Sequence, residues 1–229
     1  MSTHLSMDPT TVIAVLGGTG GEGSGLALRW AAKGHEVIVG SRSAERAAAT
    51  AMQLAQKLGP QARVRGANNL DAARAGQIVV LTVPHSVQVA TADEVKAELG
   101  GKILIDVTVP LVAPRVDRVQ LPGGESAVVA LQRHIGTDVR VVSAFQNVAA
   151  EHLHDLHHTI ECDVLVCGDD AKAREAVIAL AEDAGMRAWH AGVLANSVAA
   201  EALTSVLIAI NKRYKVPGSG IRITVPGEH

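Results

Sequence analysis

Between Leu16 and Gly25 the sequence reads LGGTGGEGSG, with Gly18, Gly20 and Gly23 in G-x-G-x-x-G spacing. That spacing suits phosphate chemistry. The first glycine permits a tight turn, the second lets a pyrophosphate approach the backbone, and the third lets a helix pack closely on a strand. Gly21 and Glu22 complete the phosphate-binding stretch. In isolation the pattern is weak, but here it follows the apolar run Val12–Leu16 and opens a helical stretch over Leu26–Lys33. The phosphates would meet unpaired N–H groups at the positive end of a helix dipole.

A second cluster decides which dinucleotide. NAD sites carry Asp or Glu about 20 residues past the glycines, where it accepts from the ribose 2′-hydroxyl. This chain has Ser41 and Arg42 there, with Arg46 one helical turn on. A carboxylate would repel a 2′-phosphate, whereas a hydroxyl and two guanidiniums would grip it through charge-assisted bonds. NADP(H) is expected rather than NAD(H).

The elements that must hold these groups alternate strand and helix, as in βαβ units with a parallel sheet. Strands are expected at Val12–Leu16, Glu36–Val39, Arg63–Arg65, Ile78–Val83, Ile103–Val107 and Val139–Ser143. Helices are expected at Ala44–Leu58, Val87–Leu99 and Glu125–His134, with a proline- and glycine-rich loop over Val109–Gly124. Beyond Phe145 come strands at Asp163–Val166, Met186–His190 and Ile221–Val225, and helices at Asp170–Ala184 and Ala195–Lys212. The fold class is therefore α/β: a Rossmann-type, doubly wound parallel sheet with a smaller α/β C-terminal domain. The expected division is a leader over 1–11, an NADP-binding domain over 12–148 and a small domain over 149–229 that closes a cleft.

Composition excludes several functions. A net charge of -2 removes the basic footprint of a nucleic-acid binder, and four aromatics (Trp30, Phe145, Trp189, Tyr214) cannot build a base-stacking platform. Apolar runs stop short of the roughly 20 residues of a membrane span, and the leader lacks a signal peptide's apolar region. Cys162 and Cys167, an odd offset apart in one strand-like run, would face opposite ways and stay unpaired, which points to the cytoplasm.

Catalytic side chains are conspicuously few. The only tyrosine is Tyr214, and four residues on stands Gly218, so no Tyr-x-x-x-Lys pair exists. The helix Ala195–Lys212 has no lysine before its last turn, and neither a Ser-His-Asp order nor zinc spacing is present. A reductase without an acid–base pair suits hydride transfer between two cofactors, where the protein supplies proximity. His152, His154, His157 and His158 invite a metal, with 154 and 158 able to share a helical face, but further ligands are missing and no metal is expected. Asp169 and Asp170 suit a helix cap, His85 a solvated loop, and Asp106 a strand end bonded to turn N–H groups.

The blocks Ala14–Gly20, Gly23–Ala27 and Gly34–Arg42 resemble NADPH-dependent reductases of the 8-hydroxy-5-deazaflavin coenzyme F420. The similarity continues through Leu81–Pro84, Cys167–Asp170, Asn196-Ser197 with Glu201–Thr204, and Gly218–Ile221. It implies direct hydride exchange between NADP(H) and coenzyme F420 as co-substrate, both in one cleft. By position, Thr19, Ser41, Arg42 and Arg46 would hold the 2′-phosphate, and Val83 and Pro84 would lie near the nicotinamide. Gln146 and Val148, with Leu194, Ala195, Asn196 and Ser197, would line the deazaflavin pocket. Some family members carry histidine where this chain has Gln146, whose amide bonds a ring but exchanges no proton. Two other readings compete: an NADP-dependent imine or pyrroline-type reductase, and a non-enzymatic NADP-sensing module. The long apolar helix also makes a homodimer expected.

Overall fold

The computed structural model describes residues 11–226. The leader expected over residues 1–11 lies, Thr11 apart, outside them. In chain order the elements are β1 (Val12–Leu16), α1 (Gly21–Ala32), β2 (Glu36–Ser41), α2 (Ala44–Leu58), β3 (Val64–Asn68), α3 (Asn69–Ala75), β4 (Ile78–Leu81) and α4 (Gln88–Val95). There follow β5 (Ile103–Asp106), α5 (Ala127–Ile135), β6 (Arg140–Ser143), α6 (Ala150–Leu153), β7 (Val164–Gly168), α7 (Ala171–Asp183), β8 (Ala188–His190) and α8 (Ser197–Tyr214).

The strands form one sheet in the order β3-β2-β1-β4-β5-β6-β7-β8. The first six run parallel, β7 joins β6 antiparallel, and β8 runs parallel to β7. This is the expected α/β architecture of Rossmann type. Because β1 is buried on both faces, its run VIAVL need not alternate in polarity. Ile13 and Val15 face the layer that contains Trp30, Val39 and Leu180, while Ala14 and Leu16 face the layer of Leu81, Leu104 and Leu131. The first layer is continuous with the C-terminal elements. Trp30 Nε1 donates to the Leu180 carbonyl at 2.8 Å, and buried Arg29 donates to the carbonyls of Leu153, Ala184 and Asp155.

Local signals fix several ends. Ser43 caps α2 by accepting from Arg46 N, and α2 stops at Gly59, where φ is 90°. Asp170 caps α7 by accepting from Ala173 N at 2.7 Å, as expected, but Asp169 instead accepts from Leu194 N at 3.0 Å.

Two expected strands are corrected and one unforeseen helix is added. The third strand extends past Arg65 to Asn68, because Gly66, Ala67 and Asn68 pair with Val39, Gly40 and Ser41 of β2. Gly66 is a packing requirement there: a Cβ would lie 2.3 Å from the Ala47–Ala48 peptide of α2. Helix α3 follows directly, capped by Asn68, a helix hidden in the sequence by its two consecutive asparagines. Residues 221–225 form no strand. The carbonyl of Ile221 accepts from Asp163 N, but Ile223 N turns to the Asp163 side chain, which takes the place of a ladder partner.

Residues 194–214, comprising a short turn and α8, are long and apolar enough to cross a membrane by length and composition alone, with a mean hydropathy of 1.4. This corrects the expectation that no apolar stretch reaches that length. The helix nevertheless buries Glu201 and Ser205 against the protein, so one of its faces is polar and packed.

Candidate active site

The chain winds outward from β1 through β2 to β3, then returns to place β4 on the other side of β1. Such a reversal opens a crevice at the C-terminal ends of β1 and β4, where open α/β sheets take ligands. The glycine loop, the Ser41–Arg46 corner and the Thr82–Pro84 segment all emerge there.

The glycines divide the work differently from the expected assignment at one position. The left-handed turn falls on Gly17, whose φ is 77°, not on Gly18. Gly18 is required by crowding, since a Cβ would lie 2.7 Å from the Val15 carbonyl oxygen. Gly20 is exposed and caps α1 without any side-chain bond, leaving the first-turn N–H groups to a ligand. Gly23 packs tightly: a Cβ would sit 2.3 Å from Thr82 Oγ1 and 2.8 Å from Gly18 Cα.

A cavity of about 200 Å³ fills the crevice, lined among others by Thr19, Gly20, Ser41, Arg42, Arg46, Val83 and Pro84. Seven residues singled out from the sequence, taken from three separate segments, thus meet around one space. The guanidiniums of Arg42 and Arg46 are exposed and have no ion-pair partner among the described residues. A cation in the first turn of α2 is mildly unfavourable unless an anion answers it. Gly17, Asn69, Thr82, Val87 and Thr91 complete the lining, and none of the five is among the site residues expected from the sequence. For Asn69 the available signal is its place just past the third strand, masked because Gly66–Asn68 reads as a loop.

Three buried or half-buried carboxyls have raised pKa values. Glu22, half-buried in the first turn of α1, is pushed up to about 8 by burial, with the charge of Asp106 adding to it. Burial here outweighs the helix dipole, which favours the ionised form. Asp106 is fully buried at the end of β5 and raised to about 6 by desolvation; bonds from Thr108 and Gln88 oppose the rise. Those bonds are short: Thr108 N and Oγ1 donate at 2.9 and 2.7 Å, and Gln88 Nε2 at 2.5 Å. Asp106 therefore organises the turn after β5. Glu201 of α8 is raised by burial too, while it accepts from Ser126 Oγ at 2.5 Å and from Ala127 N at 2.9 Å, tying α8 to the start of α5.

The residues expected around a deazaflavin are placed less uniformly. Phe145 is buried with φ 73° and sets its ring edge-on to Trp30, centroids 5.9 Å apart. A left-handed non-glycine residue costs about 1–3 kcal/mol. It turns the chain after β6 so that Gln146 Nε2 reaches the Asp106 carbonyl at 2.7 Å, leaving Gln146 Oε1 buried without a partner. Val148 is buried in the core. Leu194 and Ala195 line a different cavity, of about 390 Å³, which shares no lining residue with the first. Asn196 bonds the Ala191 carbonyl, and Ser197 is buried 2.6 Å from Ser126 Oγ.

The histidines have structural partners. Helix α6 ends at Leu153, so 154 and 158 share no helical face, contrary to expectation. His154 Nε2 donates to the Gly21 carbonyl at 2.8 Å, and the rings of His152 and His158 stack at 4.6 Å. Among the described residues no three His, Cys, Asp or Glu side chains converge as for a metal ion. Cys162 and Cys167 are both free and buried, Cys162 lying just outside β7.

The family model described as NADP oxidoreductase, coenzyme F420-dependent, matches residues 12–110. A crystal structure of a candidate F420-dependent NADP reductase from Arthrobacter sp. FB24 superposes with a TM-score of 0.78 at 26% identity, covering 93% of this chain and 99% of that one. Sheet, glycine loop and cationic corner together define a dinucleotide-binding α/β protein of Rossmann type. F420-dependent NADP reductases from Methanocaldococcus jannaschii and Methanothermobacter marburgensis are 42% and 40% identical to it, each over 93% of this chain and 97% of the relative. The chain belongs to the F420-dependent NADP reductase family.

Proposed function

We propose that this enzyme transfers a hydride between NADP(H) and coenzyme F420, and that the crevice at the end of β1 and β4 is where the nucleotide binds. The observation that carries the reading is the meeting of Gly20, Ser41, Arg42 and Arg46 around one cavity. Gly18, Gly20, Gly21 and Gly23 shape the pyrophosphate loop, Thr19, Ser41, Arg42 and Arg46 take the 2′-phosphate, and Val83 and Pro84 flank the nicotinamide. The hydride chemistry is supplied by the nicotinamide and deazaflavin rings themselves. The chain's part is to bind, orient and exclude water. Gln146 fits the deazaflavin side, because its buried Oε1 has no protein partner to lose.

In this reading residues 12–148 bind nucleotide and 149–229 complete the deazaflavin side, a division of labour laid over one continuous sheet. Mixing the protein with NADPH and oxidised coenzyme F420 tests the activity. Loss of the deazaflavin's visible absorbance is expected. Tight NADPH binding without that loss would favour a sensor instead.

Glu22 makes binding pH-dependent. Below about 8 its carboxyl is neutral beside the pyrophosphate loop; above, it is an anion facing another anion. NADP affinity should fall by roughly five- to tenfold from pH 7 to 9. Glu22→Gln should bind equally well at pH 7 and lose this decline in a fluorescence titration.

A homodimer through α8 is part of the proposal. Val206, Ile210 and Tyr214, spaced four apart on one helix face, are 44%, 37% and 71% exposed. Light scattering should show a dimer, and Ile210→Glu a monomer. A cytoplasmic setting is supported by two buried, unpaired cysteines.

A further inference from the structure

Asn69 is 2% exposed, opens α3 and lines the nucleotide cavity. It does not cap its helix, because Asn68 Oδ1 already accepts from Asp71 N at 2.8 Å. Asn69 Oδ1 has no hydrogen-bond partner, and it sits 3.2 Å from where a Cβ on Gly40 would stand. Its Nδ2 reaches only Glu94 Oε2, at 3.5 Å. A primary amide carries two donors and two acceptor sites, and burying it with one marginal contact is unfavourable. Since no normal hydrogen bond holds either end, the amide can turn about its soft terminal torsion and present oxygen or nitrogen to the cavity.

The missing partner has a defined chemistry. In NAD-type sites the residue closing the second strand is a carboxylate, an acceptor for ribose hydroxyls. This chain puts Ser41 and Arg42 there, and Ser41 Oγ already accepts from Ser43 N at 3.3 Å. The cationic corner therefore offers donors for a phosphate but no carboxylate for the ribose hydroxyl beside it, and its one hydroxyl acceptor is already engaged once. Asn69 stands on the neighbouring strand's exit, behind Gly40, whose missing side chain makes room for the amide.

We propose that Asn69 is the recognition residue for the free 3′-hydroxyl of a 2′-phosphorylated adenosine, accepting through Oδ1 once the nucleotide is bound. This rests on assigning the cavity to NADP(H). The pair divides the ribose: Arg42 and Arg46 take the phosphate on one oxygen, and Asn69 takes the hydroxyl on the next.

Calorimetry with adenosine 2′,5′-bisphosphate and its 3′-deoxy analogue tests this on the full chain. Wild type should bind the deoxy compound about tenfold more weakly. Asn69→Ala should bind the parent about tenfold more weakly and show no further loss with the deoxy compound. Equal wild-type affinity for the two compounds would overturn the inference, and that arm needs no variant to fold. Losses that simply add in the variant would overturn it as well. If wild type fails to prefer adenosine 2′,5′-bisphosphate over adenosine 5′-phosphate, the nucleotide assignment itself falls and takes this inference with it.

Discussion

Gly23→Ala should abolish nucleotide binding and destabilise the fold. The added methyl would stand 2.3 Å from Thr82 Oγ1, 2.8 Å from Gly18 Cα and 2.9 Å from the Gly17 carbonyl oxygen. Only the first can give way by rotation, and Thr82 Oγ1 is held to the Leu16 carbonyl at 2.8 Å. The other two are backbone of the loop itself. Relief therefore means moving α1 away from β1, which opens a fully buried layer beneath Leu26 and Trp30. Overpacking of this kind costs about 1–3 kcal/mol. The loop's displacement matters more for function, because phosphate-binding N–H groups tolerate little shift. Thermal denaturation should show a lower midpoint, and calorimetry no measurable NADPH binding. Gly100→Ala is the control, since it lies outside the site and a Cβ there meets nothing within 4 Å. Indistinguishable behaviour of the two variants would refute this account of the loop.

Arg42→Ala with Arg46→Ala should erase the preference for NADPH over NADH. Each guanidinium bond to a phosphate is worth about 1.5–3 kcal/mol when well formed, and exposure lowers that. Together they predict a loss of roughly 100-fold in kcat/KM for NADPH and little change for NADH. Arg42→Ala alone should show the same asymmetry in smaller measure. The loss should appear in KM, with kcat nearly held, because the 2′-phosphate lies far from the reacting carbons and is bound equally throughout the reaction. The preference of the wild type should also shrink with added salt. Equal losses for both nucleotides would refute the cationic corner as a phosphate site.

Much of this was legible in residue order because the relevant forces are local. Gly59 and Asp170 terminate helices through bonds to their immediate neighbours, and Val12–Leu16 announces a doubly buried strand by its unbroken apolarity. The glycine loop and the Ser41–Arg42 corner are likewise short segments whose residue types match one ligand chemistry. The third strand shows the opposite. Its Gly66–Asn68 half looks like punctuation, yet pairing with β2 and the close approach of α2 make it sheet.

Residue order alone thus determined the alternation of strand and helix, the phosphate loop and the sign of charge awaiting a ribose phosphate. Those are written in contiguous residues. Tertiary structure alone decided that Asn69 would line the same cavity as Arg42, and that Leu194 and Ala195 would line another. It also decided that burial, with the charge of Asp106 adding to it, would raise Glu22 to about 8, and that β7 would reverse direction on β6. These depend on which distant segments become neighbours across a sheet whose spatial order differs from its chain order. Desolvation and orphaned hydrogen-bonding groups arise only after such neighbours have closed together.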